Sequence, residues 1–520
     1  METKHPNDAG HVFVVKANVT TIDCDAWLCP TDPKFHVTAG FASAVGLSAA
    51  GRLKGPSWEH PLAVPFNLGR SRPLIVLCNV GTYEAESPDD VKHQVGQLGP
   101  IVEAFVELSV QHCRRRDAET KLRLALPLIG TGEGGLKGAK GDTIKPLVSK
   151  LKSLAHKHEV DIVLCTYDDL AWSAVQAARG GWQLPPAEEE LAQSLAEEAR
   201  AGRLVLFIGA GVSCDAGVPG WQALLDNLRS RTSLDDERDA IHKLDLRDQA
   251  ALIAKELGGR EELLTKIRKT IHRHKRIGLT HALLASLGVQ QAVTTNYDQL
   301  YERACSYRTS DIDSCMTVLP YGRVQRDRPW LLKLHGCIEQ PDHIVITRSD
   351  YLRLARERSA LFGIVQALLV TKHLLFVGYS LTDDDFHRLV EEIRIATDSP
   401  KAKPLSQLGT VLTIEDWPLA PIWKDVLDVH RVGEGSRDRS GRRLQILLDR
   451  VAQLAAPQDL HILDKSFNGL LSKGERAIAR QLGKLQATVE QVLTQCPDQP
   501  TARAVEKMLD RFAAGERIDQ

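Results

Sequence analysis

The sequence predicts an α/β protein built on parallel sheets, and three features carry that prediction. Short apolar runs alternate with segments long enough for helices, the pattern of crossover connections. Four such runs between residues 204 and 377 end in small or polar residues, as strands do where an open parallel sheet meets a ligand. Two loops that follow apolar runs, 126–135 and 209–217, are rich in glycine. At 520 residues the chain exceeds one ordinary core, and a prior of roughly 150 residues per domain predicts about two to four units.

The totals narrow the functional classes. Lysine plus arginine, 66, nearly cancels aspartate plus glutamate, 67, so the charge balance indicates neither nucleic acid nor an anionic membrane as partner. The opening residues Met1-Glu-Thr-Lys-His-Pro6 lack the apolar core of a signal peptide. No apolar run approaches the ~18 residues a membrane span needs, and the expected location is the cytoplasm. Ten cysteines are scattered without a C-x-x-C pair, which argues against a zinc ribbon and predicts no metal.

In chain order, residues 12–15 and 26–29 read as strands with a turn at 18–20 between them, followed by apolar strands at 74–78, 122–127 and 160–164. Residues 91–112 and 143–158 have the length of connecting helices. The loop Leu126-Pro-Leu-Ile-Gly-Thr-Gly-Glu-Gly-Gly135 follows a strand and precedes a helix, so its backbone N–H groups could seat a diphosphate. This order of elements over about residues 11–180, with Pro127-Leu-Ile-Gly-Thr-Gly132, resembles the macro domain, a module that binds ADP-ribose. The resemblance implies a nucleotide site at Gly130, Thr131, Gly132, Gly134, Gly135 and Asp32, and a nucleotide activator as its ligand. Where that family has an aspartate for adenine, this chain has Ala17-Asn-Val-Thr20.

Gly180-Gly-Trp-Gln-Leu-Pro-Pro186 breaks the periodicity and reads as a linker. The domains expected are therefore 1–181, 187–455 and a helical segment at 456–520. After an acidic helix at 187–202, the run Leu204-Val-Leu-Phe-Ile208 leads into Gly209-Ala-Gly-Val-Ser213, a turn that can present N–H groups to a phosphate. Residues 235–285 read as helical. Further strands at 291–295, 330–334 and 374–377 end in Asn296-Tyr-Asp298, His335-Gly336 and Gly378-Tyr-Ser380. If these strands are parallel neighbours, their ends converge on one crevice. Such a set suits a dinucleotide with chemistry at a ribose: histidine moves a proton near neutral pH, and asparagine orients a water without changing charge.

The motifs Gly209-Ala-Gly-Val-Ser213, Thr295-Asn-Tyr-Asp298, Lys333-Leu-His-Gly336 and Phe376-Val-Gly-Tyr-Ser-Leu381 resemble, in order, those of the sirtuin superfamily. The resemblance covers about residues 190–435 and implies a Rossmann-like fold with NAD as substrate. It implies catalytic roles for Asn296 and His335, with Asp298 beside the nicotinamide. It implies NAD contacts at Gly209, Ala210, Gly211, Ser213, Asp215, Gly378, Ser380 and Leu381. The family's protein deacylases carry two C-x-x-C pairs, whereas Cys305, Cys315 and Cys337 are spaced otherwise. Tyr297 and Leu381-Thr-Asp-Asp-Asp385 look like bacterial sirtuin-like antiphage effectors that hydrolyse NAD. The expected activity is therefore NAD glycohydrolysis to nicotinamide and ADP-ribose; a zinc-free NAD-dependent deacylase and a non-catalytic NAD or ADP-ribose sensor are the alternatives.

Downstream, residues 409–413 read as a strand, 417–429 as a helix and turn, and 444–454 as a closing helix. The last helices, 474–496 and 501–514, carry a stripe of Ile478, Leu482, Leu485, Val489, Val492 and Leu493, wide enough to pack on the chain's own domain or on another subunit. A homo-oligomer is expected.

Overall fold

The computed structural model describes residues 9–54, 57–58, 62–67, 73–81, 87–115, 119–131, 135–309, 311–397 and 408–514. It divides into two compact units, Met1–Glu189 with Ala456–Gln520, and Glu190–Ala455. Both are α/β.

The first unit contains β1 (Val12–Lys16), β2 (Ala26–Thr31), β3 (His36–Val37), β4 (Gly51–Arg52), β5 (Ala63–Pro65), β6 (Leu74–Asn79), β7 (Arg123–Pro127) and β8 (Asp161–Thr166). Six of them form one sheet in the order β1-β8-β7-β2-β6-β5. All its pairs are parallel except the edge pair of β5 with β6. Residues 18–20, expected as a turn between strands, enter a 3-10 turn over Val19–Thr21, where the Asn18 carboxamide oxygen accepts from the Thr20 backbone N–H. Such a local bond competes with extended pairing. The C-terminal segment groups with this unit. Ser173 and His461 are hydrogen-bonded at 2.9 Å, both buried, and a Cβ on Gly141 would meet the Phe467 carbonyl at 2.5 Å. Helices Lys473–Gln495 and Pro500–Ala514 pair through Val489, Ala502 and Leu509.

The second unit is a seven-stranded, wholly parallel sheet: β9 (Leu204–Ile208), β10 (Gln291–Thr294), β11 (Thr317–Leu319), β12 (Trp330–Lys333), β13 (His373–Val377), β14 (Gly409–Thr413) and β15 (Asp428–Arg431). Their order is β11-β12-β10-β9-β13-β14-β15. All five residues of β9 are buried, as a strand covered on both faces requires. Phe207, Phe376 and Phe386 form an aromatic cluster on one face. From β9 the chain first adds strands on one side and then, at β13, on the other, so the order reverses beside β9. In open α/β sheets that reversal is where the carboxyl ends leave a crevice. The short edge strands β11 and β15 escape sequence reading, since three or four half-buried residues carry little alternation.

Candidate active site

The site is built from four strand ends in register. Ile208 pairs with Thr294 and with Val377, and Thr294 pairs with Lys333, so Gly209, Asn296, His335 and Gly378 all lie one or two residues beyond paired positions. Two glycines allow the first contact. The Gly209 N–H donates to the Val377 carbonyl at 3.0 Å, and the Gly211 N–H to the Gly378 carbonyl at 2.9 Å. A Cβ at Gly209 would sit 2.3 Å from the Gly378 oxygen, and one at Gly378 (φ +64) 2.5 Å from the Val212 nitrogen. The turn is therefore partly a packing device: two of the N–H groups that a sequence reading offers to a phosphate are bound to the next strand end. The helix that follows, Ala210–Cys214, carries Ser213 inward.

Ser213, 1% exposed, is the hub of a buried polar cluster. Its hydroxyl donates to Asp298 Oδ2 at 2.8 Å and accepts from Asn296 Nδ2 at 3.1 Å, with His281 Nε2 at 3.3 Å. The hydroxyl has one proton, and a carboxylate only accepts, so Asn296 and His281 are both donors to it. The second amide hydrogen of Asn296 goes to the Gly209 carbonyl at 3.1 Å, and its backbone N–H to Thr294 Oγ1 at 3.0 Å. A backbone carbonyl cannot donate, which fixes the orientation of the amide. Asn296 Oδ1 is then the group left over, buried and without a hydrogen-bond partner. His281 is fully buried; burial pushes its imidazole down against the pull of Asp298 and Asp215, so it is a neutral donor.

Asp298 is anchored from both sides. Its Oδ1 accepts the Leu300 N–H at 2.9 Å, and its carbonyl accepts from Lys333 Nζ. Lys333 pairs with Glu302 at 2.8 Å, with both side chains inaccessible. Burial works against the Lys333 charge, but Glu302 and neighbouring anions outweigh it and hold the ammonium above its ordinary value.

His335 lies two residues beyond β12 and is 6% exposed. Its Nε2 lies 3.1 Å from Asp383 Oδ2, and its Nδ1 lies 3.5 Å from the Tyr351 hydroxyl. Burial alone would raise the Asp383 carboxyl, yet the His335 hydrogen bond and charge, with the Asp385 N–H, hold it below its usual value. Tyr351 is flanked by the Arg247 guanidinium at 5.3 Å and stacks on Trp221 at 6.1 Å. Arg247 also pairs with Asp245 and Asp384.

Other expected site residues have local duties. Asp215 Oδ2 accepts from the Thr280 N–H at 3.1 Å and Thr280 Oγ1 at 3.3 Å, near the start of helix Leu279–Ser286. Ser380 is exposed and bonds Thr382 at 2.8 Å. Leu381 is buried at φ +54. In the first unit, Asp32 follows β2 and residues 128–131 follow its neighbour β7. Asp32 binds the backbone N–H groups of Lys34 and His36 and the His36 ring, shaping its own turn. Thr131 Oγ1 donates to the Leu128 carbonyl at 3.0 Å, and the Leu136 N–H closes the loop on the Gly130 carbonyl at 3.0 Å; Gly135 takes φ +90. Gly132 and Gly134 lie outside the described residues.

Sequence reasoning missed three residues at the site. Asp383 could have been sought in the run Asp383-Asp-Asp385, whereas His281 and Tyr351 look like ordinary helical residues. Among the described residues no group of three histidines, cysteines or carboxylates is placed to hold a metal ion.

Chemically, the second unit sets a neutral amide oxygen, a carboxylate and a histidine–carboxylate pair at adjacent strand ends. That combination favours a cationic group and can take a proton.

Residues 290–413 match the SIR2-like domain family. NAD(+) hydrolase ThsA of Enterococcus faecium is 31% identical over 39% of this chain and 42% of its own length. The protein of the same name in Bacillus cereus (strain MSX-D12) is 28% identical over 41% and 44%. Defense-associated sirtuin 2 of Bacillus subtilis is 23% identical over 39% and 20%. The chain thus spans less than half the length of the curated relatives it matches.

Proposed function

We propose that this chain, which carries a SIR2-like domain, hydrolyses NAD to nicotinamide and ADP-ribose as a gated effector of antiphage defence. The observation that carries the reading is the placement of Asn296 and His335 at equivalent positions on the adjacent strands β10 and β12. The ThsA relatives, named NAD(+) hydrolases, support the substrate.

In this reading the bond between ribose C1′ and the nicotinamide nitrogen breaks, and its electron pair leaves on the nicotinamide, which departs neutral. The cationic sugar faces Asp298 and the oxygen of Asn296, which orients a water. The water oxygen bonds to C1′, His335 takes the water proton, and one proton is released to solvent per turnover. Positioning and charge stabilisation supply most of the acceleration. The residues proposed to hold NAD are Gly209, Ala210, Gly211, Ser213, Asp215, Gly378, Ser380 and Leu381.

For the first unit we propose a macro-like, nucleotide-sensing role centred on Gly130, Thr131, Gly135 and Asp32, with activity in a cytoplasmic homo-oligomer. Incubating the purified protein with NAD, alone and with a panel of linear and cyclic ADP-ribose nucleotides, tests both parts. Nicotinamide and ADP-ribose should appear, and at least one nucleotide should raise the rate. Substitution of Asp32 by Ala should abolish that stimulation without lowering the basal rate.

A further inference from the structure

We propose that Asp383 is a positioning residue that holds His335 in its Nε2-protonated tautomer, leaving Nδ1 as the nitrogen that takes the proton; the catalytic part of this rests on the NAD-hydrolysis reading. Three consecutive carboxylates follow β13, and each has a different partner. Asp384 reaches Arg247 at 2.8 Å and Asp385 reaches Arg388 at 2.9 Å. Asp383 alone meets the imidazole, at 3.1 Å, with the two side chains 7% and 11% exposed.

The backbone is committed to delivering it there. Gly378 takes φ +64 and Leu381 takes φ +54, a region that strains a side-chain-bearing residue and persists only where packing over-determines it. Leu381 is fully buried, and its carbonyl accepts from His387 Nε2 at 2.9 Å. The strained turn is pinned by both.

The two oxygens of Asp383 have separate tasks. Oδ1 accepts the Asp385 N–H at 3.1 Å, and Oδ2 faces His335 Nε2. An ionised carboxylate can only accept, so Nε2 carries the hydrogen and the lone pair stays on Nδ1. When Nδ1 takes a proton, the imidazolium keeps both of its hydrogens and Asp383 stays ionised beside it.

The same geometry predicts what an isosteric amide does. In Asp383→Asn the oxygen must remain on the Asp385 N–H, because that donor accepts no substitute. The NH₂ then faces Nε2 and donates to it, forcing the hydrogen onto Nδ1. The base nitrogen is thereby blocked, a change that lowers kcat by about 10⁴-fold in the histidine–carboxylate pair of a serine protease.

The test is ¹⁵N NMR of the histidine-labelled full chain at pH 8, with His335→Gln used to assign the signals, alongside NAD kinetics. The wild type should show a protonated Nε2 and a bare Nδ1; Asp383→Asn should show the reverse, with kcat reduced at least 100-fold and KM for NAD within threefold. Asp384→Asn, the same charge change one residue on, should leave the tautomer and kcat as in the wild type. A wild-type His335 protonated on Nδ1, or an Asp383→Asn protein that keeps the Nε2 tautomer or turns over within threefold of wild type, overturns the proposal. The nitrogen shifts are read without turnover, so a protein that cleaves no NAD would refute the hydrolase reading while the tautomer is still judged separately.

Discussion

Replacing Ser213 by alanine probes the hub on which the site is built. The side chain is 1% exposed, so the hydroxyl leaves behind groups that water cannot readily reach. Its bond to the Asp298 carboxylate, at 2.8 Å, is charge-assisted and contributes about 1.5–3 kcal/mol, and the Asn296 bond adds about 1 kcal/mol. The His281 contact, at 3.3 Å, adds little. Ser213→Ala should therefore destabilise the second unit by about 2–4 kcal/mol, read from urea unfolding followed by intrinsic fluorescence. Asn296 keeps only the Gly209 carbonyl as an anchor for its amide, so the direction of Oδ1 loosens. Nicotinamide release should fall about 10- to 100-fold, the equivalent of roughly 1–3 kcal/mol in the barrier. Wild-type unfolding together with wild-type turnover in the variant would mean that the hydroxyl neither satisfies nor orients its neighbours.

Two further substitutions test how the strand ends are held. Lys333→Met leaves the Glu302 carboxylate buried without its 2.8 Å partner and should cost about 3–5 kcal/mol in urea unfolding, while Lys333→Met with Glu302→Leu should recover most of it. Gly378→Ala places a Cβ 2.5 Å from the Val212 nitrogen at φ +64 and should lower stability by about 2 kcal/mol or more. By contrast Gly363→Ala, inside helix Ser359–Thr371 with open space at its Cβ, should raise stability by about 0.5–1 kcal/mol.

The parallel sheet of the second unit was legible because its inner strands are short runs with apolar centres that give way within two residues to glycine, asparagine or histidine. Strand order was not, since nothing local to β11 says that it lies outside β12. The glycines at 209 and 211 read as a phosphate cradle because their neighbour is invisible in one dimension. The Gly378 backbone, more than 160 residues later, is what requires them to lack side chains. His281 and Asp383 were missed for a related reason. The first is one polar residue in a buried helix, and the second depends on a turn through a left-handed leucine that no propensity favours. In the first unit the glycine loop was visible, but Asp32 is engaged with its own turn, a bond pattern that an acidic residue after a strand does not announce.

NAD hydrolysis at the strand ends is tested by chromatographic analysis of NAD after incubation with the wild type, Asn296→Ala and His335→Ala, with and without the nucleotide panel. The wild type should yield equal amounts of nicotinamide and ADP-ribose, and each variant should react at least 100-fold more slowly at unchanged folding. Release of no nicotinamide by the wild type under every condition, or identical release by Asn296→Ala, would contradict NAD hydrolysis at this site.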